Sequence, residues 1–315
     1  MAKANKDNEL RLVRVFDAPV KLVWEAWTED KHASKWWGPR GFTITTKSKE
    51  VRPGGQWIYT MHGPDGVDWP NITTYHEVEK YARLVYDHGA SEGRPPLFRV
   101  TTTFTDMGGK TLMDMTMSLA TPEAAREIQK FIKQAGGDST WDRLGEYLEG
   151  EQKRGDVFLI NRSFRTDQKT LFKMWTDPEH LAKWLPPTGA TMKFLSVDVK
   201  PGGTSRYAMK NADGSSMYGQ VNYELIQPHD QLVYTQNFCD EAGRLAKPPF
   251  APTWPDRMRT TVTFTSEGQG ETRVTVRWEV DGPATAEEAA TFHAAKAGMT
   301  QGWTGTFDKL EALLG

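Results

Sequence analysis

The chain of 315 residues repeats itself. The stretch that opens at Phe16, FDAPVKLVWEAWTEDKHASKWWGP, returns 148 positions later at Phe164 as FRTDQKTLFKMWTDPEHLAKWLPP. The same offset joins Trp27 to Trp175, Trp36 to Trp184, and Pro53-Gly54-Gly55 to Pro201-Gly202-Gly203. It also joins Tyr59 to Tyr207, Met61 to Met209, and Leu84-Val85-Tyr86 to Leu232-Val233-Tyr234. The match resumes at Thr103-Phe104-Thr105 and Thr263-Phe264-Thr265 with an offset of 160, after a Pro-rich insertion in the second copy, AGRLAKPPFAPTWPDRM. A long ungapped register of this kind means two copies of one fold rather than one larger unit. The expected domains are 1–150 and 154–315, joined by the short polar segment GEQKRGD.

Within each copy the patterning follows one order. Leu10, Leu12 and Phe16 mark a first strand. Pro19, then Val20, Val23, Trp24 and Trp27 at helical spacing, mark a short amphipathic helix. Asp177-Pro178-Glu179 is a cap and first turn for a second short helix in copy two. From Gln56 to His62 the chain alternates, with Trp57, Tyr59 and Met61 on one face and Ile58, Thr60 and His62 on the other. Further strands are expected near 72–79, 83–88, 97–105 and 111–119. Pro122 and Pro283 then open one long terminal helix in each copy, interrupted in the first by Gly136-Gly137, which reads as a gate or, in preference, as an ordinary break between two helices. Strands followed by a single covering helix read as α+β.

Composition removes several classes of function. Thirty-nine Lys and Arg against 41 Asp and Glu leave a charge of −2, too small to draw the chain to nucleic acid or to an anionic membrane. No apolar run is long enough for a membrane span. A single cysteine, Cys239, forbids an internal disulfide or a cysteine-based zinc site, and a reducing cytoplasm is the expected location. Seven histidines show no helical His-x-x-x-His pair, so no metal is expected. Twelve Trp with 12 Met point instead to large apolar interiors.

The Trp-Thr-Asp-Pro-Glu helix with its following Lys183-Trp184, the Val-Lys-Pro-Gly-Gly turn at 199–203, Tyr-x-Met before Asp-Gly, and Leu-Val-Tyr form a recognisable set. Each copy resembles the activator of heat-shock protein 90 ATPase homologue-like domains. These belong to the START or birch-pollen-allergen-like (SRPBCC) superfamily. The resemblance implies two tandem helix-grip domains, each a curved antiparallel sheet wrapped around a long C-terminal helix with an apolar cavity between. It implies binding, carriage or sensing of a small hydrophobic molecule, with no cofactor. Two alternatives come with it. One is a polyketide-type aromatase/cyclase with tandem domains of this kind, and the other is a chaperone partner.

Residues matched between the copies on alternating strands are expected to face the cavity: Tyr59, Met61 and Tyr86 in the first, Tyr207, Met209 and Tyr234 in the second. Trp57 pairs with Ser205, which makes the first interior the more aromatic. Met113, Met115 and Met117, matched in the second copy by Val274, Val276 and Trp278, read equally as core packing or as an adaptable lining. His88 continues the face of Leu84 and Tyr86, as Gln236 does in the second copy. That makes His88 the candidate general base, set against the reading of a half-buried, hydrogen-bonded strand histidine.

Overall fold

The computed structural model describes residues 7–134, 139–152, 156–211, 213–268 and 270–315. The chain divides into two compact units, Met1–Lys153 and Arg154–Gly315. In the first unit the elements are β1 (Glu9–Phe16), α1 (Val20–Thr28), α2 (Asp30–Trp36), β2 (Thr43–Lys49), β3 (Gln56–His62), β4 (Asp68–Glu79), β5 (Arg83–Ala90), β6 (Phe98–Asp106), β7 (Thr111–Ser118), α3 (Pro122–Gln134) and α4 (Ser139–Gln152). The second unit holds β8 (Val157–Phe164), α5 (Gln168–Thr176), α6 (Pro178–Trp184), β9 (Thr191–Ser196), β10 (Thr204–Lys210), β11 (Ser216–Gln227), β12 (Gln231–Cys239), β13 (Met258–Gly268), β14 (Glu271–Val280) and α7 (Ala286–Leu314).

Each unit is one antiparallel sheet of seven strands with helices, an α+β arrangement. The strand orders are β1-β7-β6-β5-β4-β3-β2 and β8-β14-β13-β12-β11-β10-β9. The first strand lies beside the last, and the two short helices form the link to the opposite edge. Local chemistry sets the helix starts. Asp167 accepts a hydrogen bond from the Thr170 amide at the head of α5. Asp177 accepts one from the Glu179 amide at the head of α6, with Pro178 in the first turn. Thr285 and Glu288 form a full capping box on α7.

One expectation needs correction. Among the described residues a single long terminal helix is found only in the second unit, where α7 runs for 29 residues. The first unit ends in two helices, α3 and α4, and Gly136-Gly137 lies outside the described residues. The sequence between them joins two glycines to Asp138, Ser139 and Thr140, which favour helix starts over helix interiors. Among the described residues no helix is long and apolar enough to cross a membrane.

Strand register defines the inner face of each sheet. Trp57, Tyr59 and Met61 of β3 stand opposite Thr73, Asn71 and Trp69 of β4. Leu84, Tyr86 and His88 of β5 stand opposite Thr102, Val100 and Phe98 of β6. In the second unit Ser205, Tyr207 and Met209 of β10 stand opposite Val221, Gly219 and Met217 of β11. Tyr234 and Gln236 of β12 stand opposite Thr260 and Met258 of β13. The terminal helices are fastened to the turn after the short helices. Arg143 of α4 donates to the carbonyls of Gly38 and Pro39 at 2.7 and 2.8 Å, and Lys309 of α7 donates to the Pro186 carbonyl.

Candidate functional site

The interior of the first domain is filled with rings. Trp57 stacks on Tyr59 with centroids 4.1 Å apart, and Trp37 meets the Trp57 ring edge-on at 5.0 Å. The Trp37 indole Nε1 donates to the Tyr59 hydroxyl at 3.0 Å, and the Trp57 Nε1 donates to Thr46 Oγ1 at 3.0 Å. Trp57, Tyr59, Tyr75 and Tyr86 are at most 2% exposed, so no water reaches them. Loss of solvation pushes the hydroxyls of Tyr59, Tyr75 and Tyr86 well up from their ordinary value. Met113 and Met115 are equally buried, and Met61 and Met117 are half-buried at the margin.

His88 lies at that margin, half-buried, with its ring 5.1 Å from Phe98 and 6.3 Å from Trp37. Its Nδ1 is buried without a hydrogen-bond partner. Burial pushes its pKa down to about 4, so the ring is neutral at pH 7. A general base works best with a pKa near the working pH, and His88 is placed far from that condition. Asp87, next in the chain, points to the outer face. There it accepts from Arg99 Nε at 2.8 Å and Nη2 at 3.0 Å, and it lies 2.8 Å from His76 Nε2. His88 is therefore a neutral hydrogen-bonding group on an apolar wall, with no adjacent carboxylate to drive proton transfer.

The second domain replaces much of that packing. At the shared offset Leu185 stands for Trp37, Ser205 for Trp57, Gly219 for Asn71, Val221 for Thr73 and Gln236 for His88. Two indole rings are gone. Tyr207, which has no ring at 205 to stack on, lies across Gly219: a Cβ there would meet the Tyr207 Cζ and hydroxyl at 2.3 Å. Tyr207, Tyr234, Gln236 and Trp278 all face inward yet remain only half-buried, while Ser205, Tyr223 and Met209 are buried. These half-buried, inward-facing side chains contrast with the sealed rings of the first domain.

From α7, Phe292, Ala295, Met299 and Trp303 belong to the same cluster, with Ala295 the smallest of them. Trp303 stacks on Trp175 at 5.9 Å and meets Trp278 edge-on at 5.8 Å, and Trp254 meets Phe292 edge-on at 5.9 Å. Burial pushes the Tyr207 hydroxyl up to about 12, and Trp278 Nε1 is buried without a hydrogen-bond partner.

The Pro-rich insertion is moored to α7. Lys247 Nζ donates to Glu288 Oε1 at 2.6 Å and to the Trp254 carbonyl, and it pairs with Asp256 at 2.7 Å. Thr253 and Thr291 share a hydrogen bond of 2.7 Å. Phe250, 71% exposed, meets Phe238 edge-on at 6.2 Å. Reading the sequence did not single out Gly219, Ala295, Met299 or Phe238. For Gly219 a signal was present, since it breaks identity with Asn71 inside the matched register.

A family model described as Activator of Hsp90 ATPase homolog 1-like protein matches residues 17–149 and again 165–315. The chain belongs to the AHSA1 family. Its two AHSA1 regions are tandem members of the SRPBCC superfamily. Among solved structures, this AHSA1 chain is similar to protein Ms6760 from Mycobacterium smegmatis, at 22% identity over 50% of this chain and 90% of that one, with a TM-score of 0.42. A protein from Arthrobacter aurescens is similar at 24% identity over 46% and 87%, with a TM-score of 0.43. The di-domain ARO/CYC BexL from the BE-7585A biosynthetic pathway is similar over 96% of this chain and 97% of its own, at 14% identity and a TM-score of 0.40. A search of curated proteins found no match.

Proposed function

We propose that this AHSA1 protein binds and carries a small hydrophobic molecule, and that the second domain does the binding, in the gap between its sheet and α7. The observation that carries this reading is the contrast at matched positions. Tyr59 and Tyr86 are sealed, whereas Tyr207 and Tyr234 are half-buried. A mostly apolar concavity with a few convergent polar groups is the usual form of a small-molecule site. The helix-grip arrangement expected of the superfamily places such a space between sheet and terminal helix. The first domain, with Trp37 and Trp57 in place, acts as a filled copy of the same fold.

Titration of the full chain with pyrene, read by probe emission, tests this reading. Saturable binding that is lost in Ala295→Trp, which fills the gap, and kept in Met115→Leu, in the core of the first domain, is the expected result. Absence of binding to the wild-type chain, or undiminished binding in Ala295→Trp, overturns it.

A further inference from the structure

The walls of the second-domain gap also say what kind of molecule suits it. The sheet side offers three neutral polar groups, the Tyr207 hydroxyl, the Gln236 amide and the Trp278 indole N–H, and the indole N–H is buried with no hydrogen-bond partner. All three are neutral and all can donate a hydrogen bond, and the indole can do nothing else. Buried donors in folded proteins are almost always satisfied, so an unpartnered one at a gap calls for an acceptor from outside the chain.

The cations nearby are already occupied. Arg162 on the inner face of β8 pairs with Asp308 at 2.6 Å and lies 3.6 Å from Glu311. Lys296 on α7 pairs with Asp156, and Lys247 of the insertion holds Asp256 and Glu288. A carboxylate or sulfonate entering this space would lose its hydration and find Arg162, Lys296 and Lys247 already paired with carboxylates, a heavy penalty in an apolar interior. An uncharged molecule with a carbonyl oxygen would lose little and satisfy the waiting donors. Trp278, Trp303 and Tyr234 supply aromatic surface for a flat body.

We infer that the second domain selects uncharged, carbonyl-bearing hydrophobic molecules of aryl-ketone type, with Tyr207 and Trp278 as the specificity-determining donors. This rests on the binding reading above.

The test uses three probes on the full chain: pyrene, a bare hydrocarbon; prodan, an uncharged aryl ketone; and anilinonaphthalene sulfonate, an anion. Prodan is expected to bind more tightly than the sulfonate. Tyr207→Phe, which keeps the ring and removes the hydroxyl, should weaken prodan about fivefold to tenfold and leave pyrene unchanged, and Trp278→Phe, which removes the N–H with part of the ring, should weaken prodan more than it weakens pyrene. Two variants keep the test alive should one fail to fold. If pyrene binds while prodan affinity is the same in both variants as in the wild type, or if the sulfonate binds best, the donor assignment is wrong and the binding reading stands. If none of the three binds, both fail.

Discussion

The Tyr207 ring occupies the place where a side chain at Gly219 would begin. A Cβ on that glycine would stand 2.3 Å from the Tyr207 hydroxyl. In the first domain the matched ring, Tyr59, stacks on Trp57 instead and faces Asn71 across the strand pair. One aromatic position therefore has two settings, chosen by whether an indole stands two residues before it.

Gly219→Asn, which installs the residue of the first copy, should drive the Tyr207 ring off the sheet. Overpacking of this kind costs about 1–3 kcal/mol. Urea denaturation should show that loss, and pyrene affinity should fall with it. Unchanged stability and binding would show that the ring has room to move aside.

Trp57→Ser should open the first domain. The indole is 1% exposed and carries the Tyr59 stack, so its removal should cost about 3–5 kcal/mol. Where the variant stays folded, a second pyrene site should appear in the titration. One site of unaltered affinity would mean that the interior collapses into the space.

His88 gives the first domain a pH dependence of definite sign. Its pKa is about 4 when folded and near 6.5 as an ordinary histidine. Between these values the unfolded chain binds more protons, so the contribution is intact above about pH 6.5 and is lost as pH falls toward 4. The full effect is up to about 3 kcal/mol, lessened by the part of the ring that water reaches. His88→Gln, which copies Gln236, should flatten the stability profile between about pH 6.5 and 4, followed by tryptophan fluorescence in urea. A variant as acid-sensitive as the wild type would place the effect elsewhere.

Trp254→Ala should loosen the insertion without unfolding the sheet. Trp254 is 8% exposed and its ring packs on Phe292. Limited proteolysis should cut within 242–257 far faster than in the wild type, and pyrene should dissociate faster. Equal cleavage rates would show that Lys247 alone holds the segment.

Much of this arrangement was legible in the chain. The alternation of Trp57, Tyr59 and Met61, and their match to Ser205, Tyr207 and Met209, placed those positions on one face, and the strand register agrees. The repeat set out two domains of one strand order. The setting of Tyr207 was half legible: the loss of the indole at Ser205 is visible in the chain, but Gly219, over which the ring lies, comes from across a strand pair. The same holds for His88. Its parity follows from Leu84 and Tyr86, but its loss of charge comes from Phe98 and Trp37, brought in from other elements. The two helices that end the first unit were half visible: Gly136-Gly137 marks a break in the sequence, while the pattern from Pro122 onward still reads as one terminal element.

Glu288 has two tasks. Its carboxylate closes the first turn of α7 through Thr285 and also grips Lys247 of the insertion. The two tasks use different oxygens, Oε2 for Thr285 and Oε1 for Lys247, so added salt that weakens the ion pair loosens the insertion and leaves the start of the helix closed.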